Sequence, residues 1–413
     1  MDAVSDGMGR NAAVAMDLAD PLASLRDEFC IVDDNTIYLD GHSLGRLPLS
    51  VRERLVEVID GDWGRDLVSA WDRWVEWPLT VGDRLGSVLL GAGPGQVVLT
   101  DSTTVNLFKV ASAVLGANSG ALVTDASNFP TDRYVLAGLA AQHGVEMRLI
   151  DVDFDQGPDP EAVARAAQGA SLVCLSLVDF RSGALAPIEE ITAACRRAGA
   201  LVCWDLSHAV GAVEIDLEGA GAELAVGCTY KYVNAGPGAP AFTFVGRELQ
   251  SKLRQPIWGW FGQRKQFVMG PIYDPHEGIA QQLTGTPSVL GLAAVDSALS
   301  VIEKAGMAAL RSKGRALVGY ASELADAWLR ELGFALGGPR EPALRGSHIT
   351  LRHPSAYVIG DRLAHDGIMG DVRPPDLLRF GLASAYTRFV DIWDALHRLG
   401  ELVGPGGDLN LDG

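Results

Sequence analysis

The feature that most constrains the fold is an alternation of short apolar runs with helical patterns along the middle of the chain. Each run is rich in Val, Leu and Ile, which is typical of buried strands in crossover units and a mainly parallel sheet. The predicted strands are 96–100, 121–124, 171–176, 200–204 and 224–228. Parallel sheets bind ligands beyond the carboxyl ends of their strands, so the residues that follow these runs are candidates for a site.

The pattern changes after Gly285-Thr286-Pro287. Longer amphipathic helices are predicted there, at roughly 289–304 and 314–332, and strand-like segments follow at 347–353 and 377–382. This order of elements indicates an α/β protein with a second, smaller domain.

The domain organisation follows from that change. We expect a large domain with an N-terminal arm over residues 26–288 and a smaller α/β C-terminal domain over residues 289–403. Residues 1–25 are predicted to be a partly disordered N-terminal segment, and the Gly-rich residues 404–413 a disordered tail.

Composition excludes several classes of function. The chain has 413 residues, of which 48% are hydrophobic and 21% charged, as in an enzyme-sized globular protein. Its 34 Lys and Arg against 52 Asp and Glu give a formal charge of −18, so neither nucleic acid nor an anionic membrane is an expected partner. We also expect no signal peptide and no membrane span, because no segment has the required apolar run.

The cysteines indicate a reducing compartment. The chain has five, which is an odd number, and none forms a C-x-x-C pair. Neither a disulfide framework nor a zinc site is therefore expected, and no metal is predicted. Reduced thiols favour a cytoplasmic protein.

The strongest local signal is an acid and a lysine that follow two successive predicted strands. Asp205 ends one predicted strand and Lys231 follows the next, so both should lie at the same edge of a parallel sheet. Pyridoxal phosphate needs this pair, because a lysine bonds to the cofactor and a carboxylate keeps its ring nitrogen protonated. A lysine after a strand is usually a surface residue, so the spacing alone leaves both interpretations open.

A hydroxyl-rich loop provides a third part of the same hypothesis. Residues 100–104 follow a predicted strand and precede a helix that should begin near Val105. Backbone amides and hydroxyls at a helix N-terminus bind anions such as phosphate. An ordinary helix cap has the same composition, and it is the agreement with Asp205 and Lys231 that favours a phosphate site.

Longer motifs make the chain similar to a known family. Residues 204–208 (Trp-Asp-Leu-Ser-His), 227–234 (Gly-Cys-Thr-Tyr-Lys-Tyr-Val-Asn) and 236–240 (Gly-Pro-Gly-Ala-Pro) resemble kynureninase, a fold-type-I pyridoxal-phosphate enzyme. The resemblance extends over roughly residues 37–403. It implies a transferase-like large domain with a mainly parallel seven-stranded sheet, and a homodimer with shared active sites.

The resemblance also implies a reaction and roles for residues. The reaction is hydrolysis of the Cβ–Cγ bond of L-kynurenine, 3-hydroxykynurenine or a ring-substituted kynurenine, giving an anthranilate and L-alanine. Lys231 would hold the cofactor and move protons, Asp205 would pair with the ring nitrogen, and Tyr230 would relay protons if its pKa were lowered. The other implied cofactor-binding residues are Thr103, Thr104, Phe129, Asp132, His208, Trp260 and Thr286, the last from a neighbouring subunit.

Three further residues match substrate-binding positions. Arg379 would bind the substrate α-carboxylate through two parallel hydrogen bonds, and Ser43 and Trp63 would lie near its aromatic end. His42 stands where the family usually has asparagine, and Gln263 where histidine is frequent. Residues 177–181 (Leu-Val-Asp-Phe-Arg) also differ from the His-Val-Asn-Tyr-Arg form of bacterial members. Such departures leave two interpretations open, a ring-specialised member of the family and neutral drift.

Rival interpretations remain. Residues 41–45 match the G-x-S-x-G elbow of serine hydrolases, which we reject because only 40 residues precede it and nothing places an acid beside a histidine. Another fold-type-I enzyme, such as an aminotransferase or desulfurase, and a regulatory homologue without cofactor stay as alternatives.

Overall fold

The computed structural model describes residues 8–33, 35–405 and 407. The helices are α1 (Arg10–Ala19), α2 (Leu49–Glu57), α3 (Trp71–Trp74), α4 (Trp77–Leu85), α5 (Thr103–Ala117), α6 (Pro130–His143), α7 (Pro160–Ala166), α8 (Ile188–Arg197), α9 (Arg247–Gln250), α10 (Val289–Ala305), α11 (Met307–Trp328), α12 (Ala356–His365) and α13 (Phe389–Val403). The strands are β1 (Ile37–Tyr38), β2 (Val97–Leu99), β3 (Ala121–Asp125), β4 (Met147–Ile150), β5 (Ala170–Ser176), β6 (Leu201–Asp205), β7 (Leu224–Gly227), β8 (Phe242–Val245), β9 (Ala335–Gly337), β10 (His348–Arg352), β11 (Ile368–Met369), β12 (Asp371–Arg373) and β13 (Leu377–Gly381).

A seven-stranded sheet forms the centre of the large domain, in the order β2-β8-β7-β6-β5-β3-β4. Strands β3 to β7 pair in parallel, and β8 runs antiparallel to both of its neighbours. Strands β3, β7 and β8 are buried along their whole length, because helices cover both faces and the strand residues are apolar throughout. The predicted fold class and the five predicted strands are confirmed.

The smaller sheet is antiparallel, in the order β12-β13-β10-β9. Its strands β10 and β13 pair from His348 opposite Gly381 to Arg352 opposite Leu377, which matches the two strands predicted in this region. Helix α11 begins at Met307 and ends at Trp328, whereas the sequence predicted a helix over 314–332.

The placement of the boundary at residue 288 stays a prediction, although the packing bears on it. Helix α10 buries Leu292, Val295 and Leu299 in the hydrophobic core of the large sheet. The core of the smaller sheet contains α11 residues from Leu317 onward and also Leu39 of the N-terminal arm. The first helix of the expected small domain therefore packs with the large sheet, and the N-terminal arm contributes to the core of the small one.

The N-terminal segment contacts the C-terminal helix. Arg10 binds Asp394 at 2.6 Å, and the Asp17 carboxylate accepts the backbone N–H groups of Phe389 and Val390 at 2.7 and 3.0 Å. Asp17 therefore caps the first turn of α13, where free N–H groups need acceptors. The disorder predicted for residues 1–7 and for most of 404–413 lies outside the described residues.

No helix in the described ranges is long and apolar enough to cross a membrane. The five cysteines are unpaired, and four of them are buried.

Candidate active site

The predicted site residues converge at the carboxyl edge of the large sheet. Strand β6 ends at Asp205, and Lys231 follows β7 by four residues. Together they line a cavity of about 230 Å³. Its remaining lining residues are Asp101, Ser102, Thr103, Thr104, Phe129, Thr131, Asp132, Ser207, His208, Cys228, Tyr230, Gly238, Ala239 and Ala241.

The lysine is enclosed and lies against a histidine. Lys231 is 8% exposed, and its Nζ lies 3.3 Å from both ring nitrogens of His208. Burial, and after it the positive charge of Lys231, holds the pKa of His208 well below its usual range. A neutral His208 can accept a hydrogen bond from the Lys231 amine.

Two carboxyl groups lie on the other side of the cavity. Asp205 accepts hydrogen bonds from the backbone N–H and the hydroxyl of Ser207, at 2.9 and 2.6 Å. Asp132 is buried and lies 3.4 Å from the Asn128 amide nitrogen. Burial, then repulsion from Asp205, raises the pKa of Asp132 well above its usual range. Of these two carboxyl groups, Asp132 is therefore one whose ionisation the surrounding protein opposes.

The N-terminus of α5 opens into the cavity. The helix begins at Thr103, two residues before the predicted start, and the Ser102 hydroxyl caps it by accepting the Val105 N–H at 3.4 Å. Thr103 and Thr104 therefore lie in the first turn, where backbone N–H groups have no helical partner. Their hydroxyls and these N–H groups form one end of the cavity, suited to a phosphate.

Aromatic side chains border the lysine. The Nζ of Lys231 lies 6.0 Å from the centre of the Phe129 ring and 5.9 Å from that of Tyr230. Burial, followed by the influence of Cys228, raises the pKa of Tyr230. This direction is opposite to the lowered pKa that the predicted proton relay required, because burial, Cys228 and Asp205 all oppose ionisation of the phenol.

The residues present fit pyridoxal phosphate. The cavity presents a lysine amine, a paired carboxylate and a helix N-terminus with two hydroxyls, which correspond to the aldehyde, the ring nitrogen and the phosphate of the cofactor. Phe129 lies at the side of the cavity where it can pack against a flat ring.

Arg379 lies behind this cavity with its guanidinium already paired. It is 1% exposed, and it binds the Asp371 carboxylate through Nε at 2.7 Å and through Nη2. Its Nη1 donates to the carbonyl oxygen of Phe180, whose ring packs edge-on against Phe129 with centres 5.3 Å apart. Arg379 thus connects the small domain to the wall of the cavity.

His42 bridges two carboxyl groups beside that arginine. It is buried, with Nδ1 3.3 Å from Asp40 and Nε2 3.4 Å from Asp371. Burial lowers the pKa of His42 to about 4 and raises the pKa of Asp40 to about 6. The ligand atoms of these three residues lie within 4.8 Å of one another, which is metal-binding spacing, but Arg379 and Arg373 both contact Asp371 and would repel a cation.

Five predicted residues do not line the cavity, namely Arg379 and four others. Trp63 is 58% and Trp260 38% exposed, and Thr286 is also exposed. The structure does place two acids, Asp40 and Asp371, beside His42, contrary to the sequence argument against a hydrolase. The Ser43 hydroxyl donates to Asp371 at 3.2 Å, so it contacts the acid directly, unlike the serine of a hydrolase triad, which contacts the histidine. A single chain thus brings most of the cofactor residues together and leaves these positions at the surface or behind the site.

Sequence reasoning missed a cluster of buried histidines. His348 stacks on His42 with ring centres 5.3 Å apart and lies 5.9 Å from His208. The sequence signal for His348 was its place in residues 345–348 (Arg-Gly-Ser-His), which lie within the range that resembles the family. Asp371 gave no signal, because its role depends on partners from β13 and the N-terminal arm.

Comparison with known proteins places this site in a class. The Aminotransferase class-V family model matches residues 87–343, and the Kynureninase C-terminal domain model matches residues 310–399. The fold and the lysine-centred cavity define a class-V aminotransferase-type protein.

Full-length relatives narrow this class. The chain is 41% identical to a kynureninase from Pseudomonas fluorescens and 40% identical to one from Burkholderia pseudomallei (strain 1106a), in both cases over 95% of each chain. The chain belongs to the kynureninase family. The predicted cofactor, pyridoxal phosphate, is confirmed, because members of both families depend on it.

Solved structures support the fold. A cysteine desulfurase from Thermococcus onnurineus NA1 matches with a TM-score of 0.81 at 18% identity, over 92% of this chain and 97% of that one. A cystine C–S lyase matches with a TM-score of 0.79 at 19% identity, over 90% and 99%. At this identity the likeness concerns the fold.

Proposed function

We propose that the chain binds pyridoxal phosphate at Lys231 and hydrolyses the Cβ–Cγ bond of kynurenine or a ring-substituted kynurenine. The products are an anthranilate and L-alanine, and one water is consumed. Identity of 41% to a kynureninase over 95% of the chain supports this activity. The observation that carries the proposal is the cavity that joins Lys231, the Asp205–Asp132 pair and the α5 N-terminus.

The chain's own residues can perform the required steps. When bound, pyridoxal phosphate withdraws electrons from the amino acid substrate, which weakens the bonds that must break. Lys231 removes the proton from the substrate α-carbon and returns a proton in later steps. Neutral His208 keeps the amine oriented by accepting its hydrogen bond, and Asp205 stabilises positive charge on the ring nitrogen.

Arg379 is the proposed anchor for the substrate α-carboxylate. Arg379 matches the position at which the family binds the substrate carboxylate, and its guanidinium is buried. Asp371 fixes the plane of the guanidinium with two hydrogen bonds. A fixed guanidinium loses little conformational entropy when it binds a second carboxylate with its remaining N–H groups.

The decisive experiment supplies the holoenzyme with L-kynurenine and no amino acceptor. We expect equal amounts of anthranilate and alanine, and in H₂¹⁸O the label should enter the anthranilate carboxylate. Lys231→Ala should abolish both products and the visible absorbance of the lysine-bound cofactor. Lys252→Ala removes an exposed lysine and should change neither. Alanine production that requires a keto acid would indicate an aminotransferase instead.

A desulfurase is the weaker alternative, although solved desulfurases share the fold. Such an enzyme needs a reactive thiolate. Cys228 lines the cavity, but it is buried, and burial raises the pKa of its thiol. Sulfur release from cysteine in place of anthranilate formation would favour this alternative.

Ring specificity remains part of the proposal. His42 contacts Asp40 and Asp371 in the region where the sequence departs from the family, and Phe180 of the 177–181 segment packs on Phe129. A steady-state comparison of kynurenine, 3-hydroxykynurenine and a ring-methylated kynurenine tests whether these changes alter the preferred substrate. Very weak turnover of all three would contradict the substrate class.

A homodimer with shared sites and a cytoplasmic location complete the proposal. The segment 257–272 exposes large apolar side chains, namely Ile257, Trp258, Trp260, Phe267, Val268, Met269 and Ile272. Contiguous apolar surface of this kind is typical of a protein interface. Exposed Trp260 and Thr286 could then reach the cavity of the other subunit. Five unpaired cysteines support a reducing compartment.

A further inference from the structure

A buried lysine outside the described chemistry lies beside the phosphate end of the cavity. Lys109 of α5 is completely buried, and its Nζ donates to the Asp101 carboxylate at 2.8 Å and to the Gln282 carbonyl oxygen at 2.7 Å. Lysine is almost never fully buried without a partner, because removing an ammonium from water is costly. Burial lowers the pKa of Lys109, whereas Asp101 raises it.

The position of Asp101 is unfavourable for binding an anion in the cavity. It lines the cavity directly before Ser102, the residue that caps α5. A carboxylate there repels the phosphate group that the helix N-terminus is suited to bind. Its backbone has a φ of 47°, in the left-handed region, and its carboxylate also accepts the hydroxyls of Thr100 at 3.0 Å and Thr284 at 3.2 Å. The Asp101 carboxylate thus maintains the loop through hydrogen bonds, but its charge disfavours phosphate binding.

We propose that Lys109 is a positioning residue for the cofactor phosphate. Its amine compensates the negative charge of Asp101, and the Asp101 carboxylate maintains the conformation of the loop. Lys109 approaches Asp101 from inside the protein, so it compensates the carboxylate without occupying the space of the phosphate. The inference rests on the proposed phosphate site at Ser102–Thr104. An ion pair that only stabilises the fold is the competing explanation.

Three variants separate these explanations. Lys109→Met leaves the Asp101 carboxylate uncompensated and should weaken pyridoxal phosphate binding about tenfold or more at low salt, with a smaller loss at high salt. Asp101→Asn retains an oxygen acceptor and tolerates a positive φ, and it should bind the cofactor as tightly as the wild type or several-fold more tightly. The double variant, with a neutral pair, should recover most of the lost affinity.

A second buried ion pair in the same chain provides a matched control. Lys313 of α11 binds Asp20 at 2.7 Å, and both side chains are nearly buried outside the cavity. Lys313→Met should lower the free energy of unfolding without changing cofactor affinity. A purely structural role for Lys109 would make Lys109→Met and Lys313→Met alike in both measurements.

The measurement is the dissociation constant of the cofactor, from titration of the apoprotein followed by the absorbance of the lysine-bound form. Pyridoxal lacks the phosphate, so its affinity should be the same in the wild type and Lys109→Met. If neither ligand forms the absorbing species in the wild type, the proposed Lys231 site itself fails. Equal loss for both ligands, or no recovery in the double variant, would overturn the role of Lys109. If Lys109→Met does not fold, the Asp101→Asn variant provides the test, and weaker cofactor binding by that variant would overturn the role of Lys109.

Discussion

At the scale of single residues, protonation decides which carboxyl group can serve the cofactor. Asp132 and Asp205 face each other in a buried site, where two adjacent negative charges are costly. The raised pKa of Asp132 makes it the group that more readily keeps a proton, because burial and the neighbouring Asp205 both oppose its ionisation. Ser207 fixes the orientation of Asp205 with two hydrogen bonds.

This asymmetry predicts unequal effects of two similar substitutions. Asp132→Asn replaces a neutral acid by a neutral amide and should reduce kcat/KM for kynurenine by less than about tenfold. Asp205→Asn removes the charge that stabilises the ring nitrogen and should reduce it by on the order of 100-fold or more, the scale of losing one preorganised electrostatic contact. Steady-state kinetics on cofactor-saturated variants measure both effects. Equal losses would show that the proton is not held by Asp132.

His348 makes stability depend on pH. It is fully buried, and burial, followed by His42, Arg379 and Arg345, holds the pKa of His348 well below its usual range. The unfolded chain therefore binds this proton first as pH falls, and stability is lost below about pH 6.5. Asp371, which opposes the shift, contributes a smaller effect.

Replacing this histidine by a residue that does not titrate isolates that contribution. The cost of His348→Gln in the free energy of unfolding should be smaller at pH 5.5 than at pH 7.5 by about 1.4 kcal/mol, the value of one pH unit for one proton. Urea unfolding at the two pH values measures it. His143→Gln, at an exposed position in α6, serves as the control for replacing a histidine that is not buried. A cost for His348→Gln that does not change with pH would contradict a buried, neutral imidazole.

At the scale of elements, the N-terminal arm supports the lysine loop through a close backbone contact. The Gly45 N–H donates to the carbonyl oxygen of Tyr230 at 2.8 Å. A Cβ atom at Gly45 would collide with the carbonyl oxygen of Lys231 and with the Asn234 side chain. The arm can therefore contact the loop this closely only because residue 45 has no side chain.

We expect Gly45→Ala to displace the arm or the lysine loop. The free energy of unfolding should fall by about 1–3 kcal/mol, the usual cost of overpacking, and cofactor affinity should fall with it. Gly116→Ala is the matched control, because Gly116 lies in α5 with open space around its Cβ position. That change should be neutral or stabilising by up to about 1 kcal/mol, from helix propensity. Equal behaviour of the two variants in chemical denaturation would refute the contact.

The elements also show which parts of the site a sequence can reveal. The apolar runs predicted the parallel sheet, and with it the shared edge of Asp205 and Lys231, because strand direction follows from the crossover pattern. The start of α5 was predicted two residues late, since threonines fit a cap or a first turn equally well. The bridge from His42 to Asp371 joins residues far apart in the chain, and no local pattern encodes it.

At the scale of the whole molecule, the cavity of one chain lacks two of the cofactor-binding residues that the family resemblance implies, Trp260 and Thr286. Trp260 is exposed on the apolar segment 257–272, and Phe261 of the same segment donates its N–H to the Thr284 carbonyl oxygen. Thr284 in turn contacts Asp101 at the mouth of the cavity. The surface that carries Trp260 and Thr286 thus lies next to the site, which is compatible with the proposed homodimer, in which two chains would exchange these residues.

Mixed dimers test this exchange directly. If each site takes Lys231 from one chain and Trp260 from the other, a dimer of a Lys231→Ala chain and a Trp260→Ala chain contains one intact site and one doubly altered site. Refolding equal amounts together should yield about half mixed dimers and hence about a quarter of the wild-type activity, well above either variant alone. Mass determination verifies that mixed dimers form. If they form and activity does not rise, both residues act within one chain, and the exposure of Trp260 must then have another explanation.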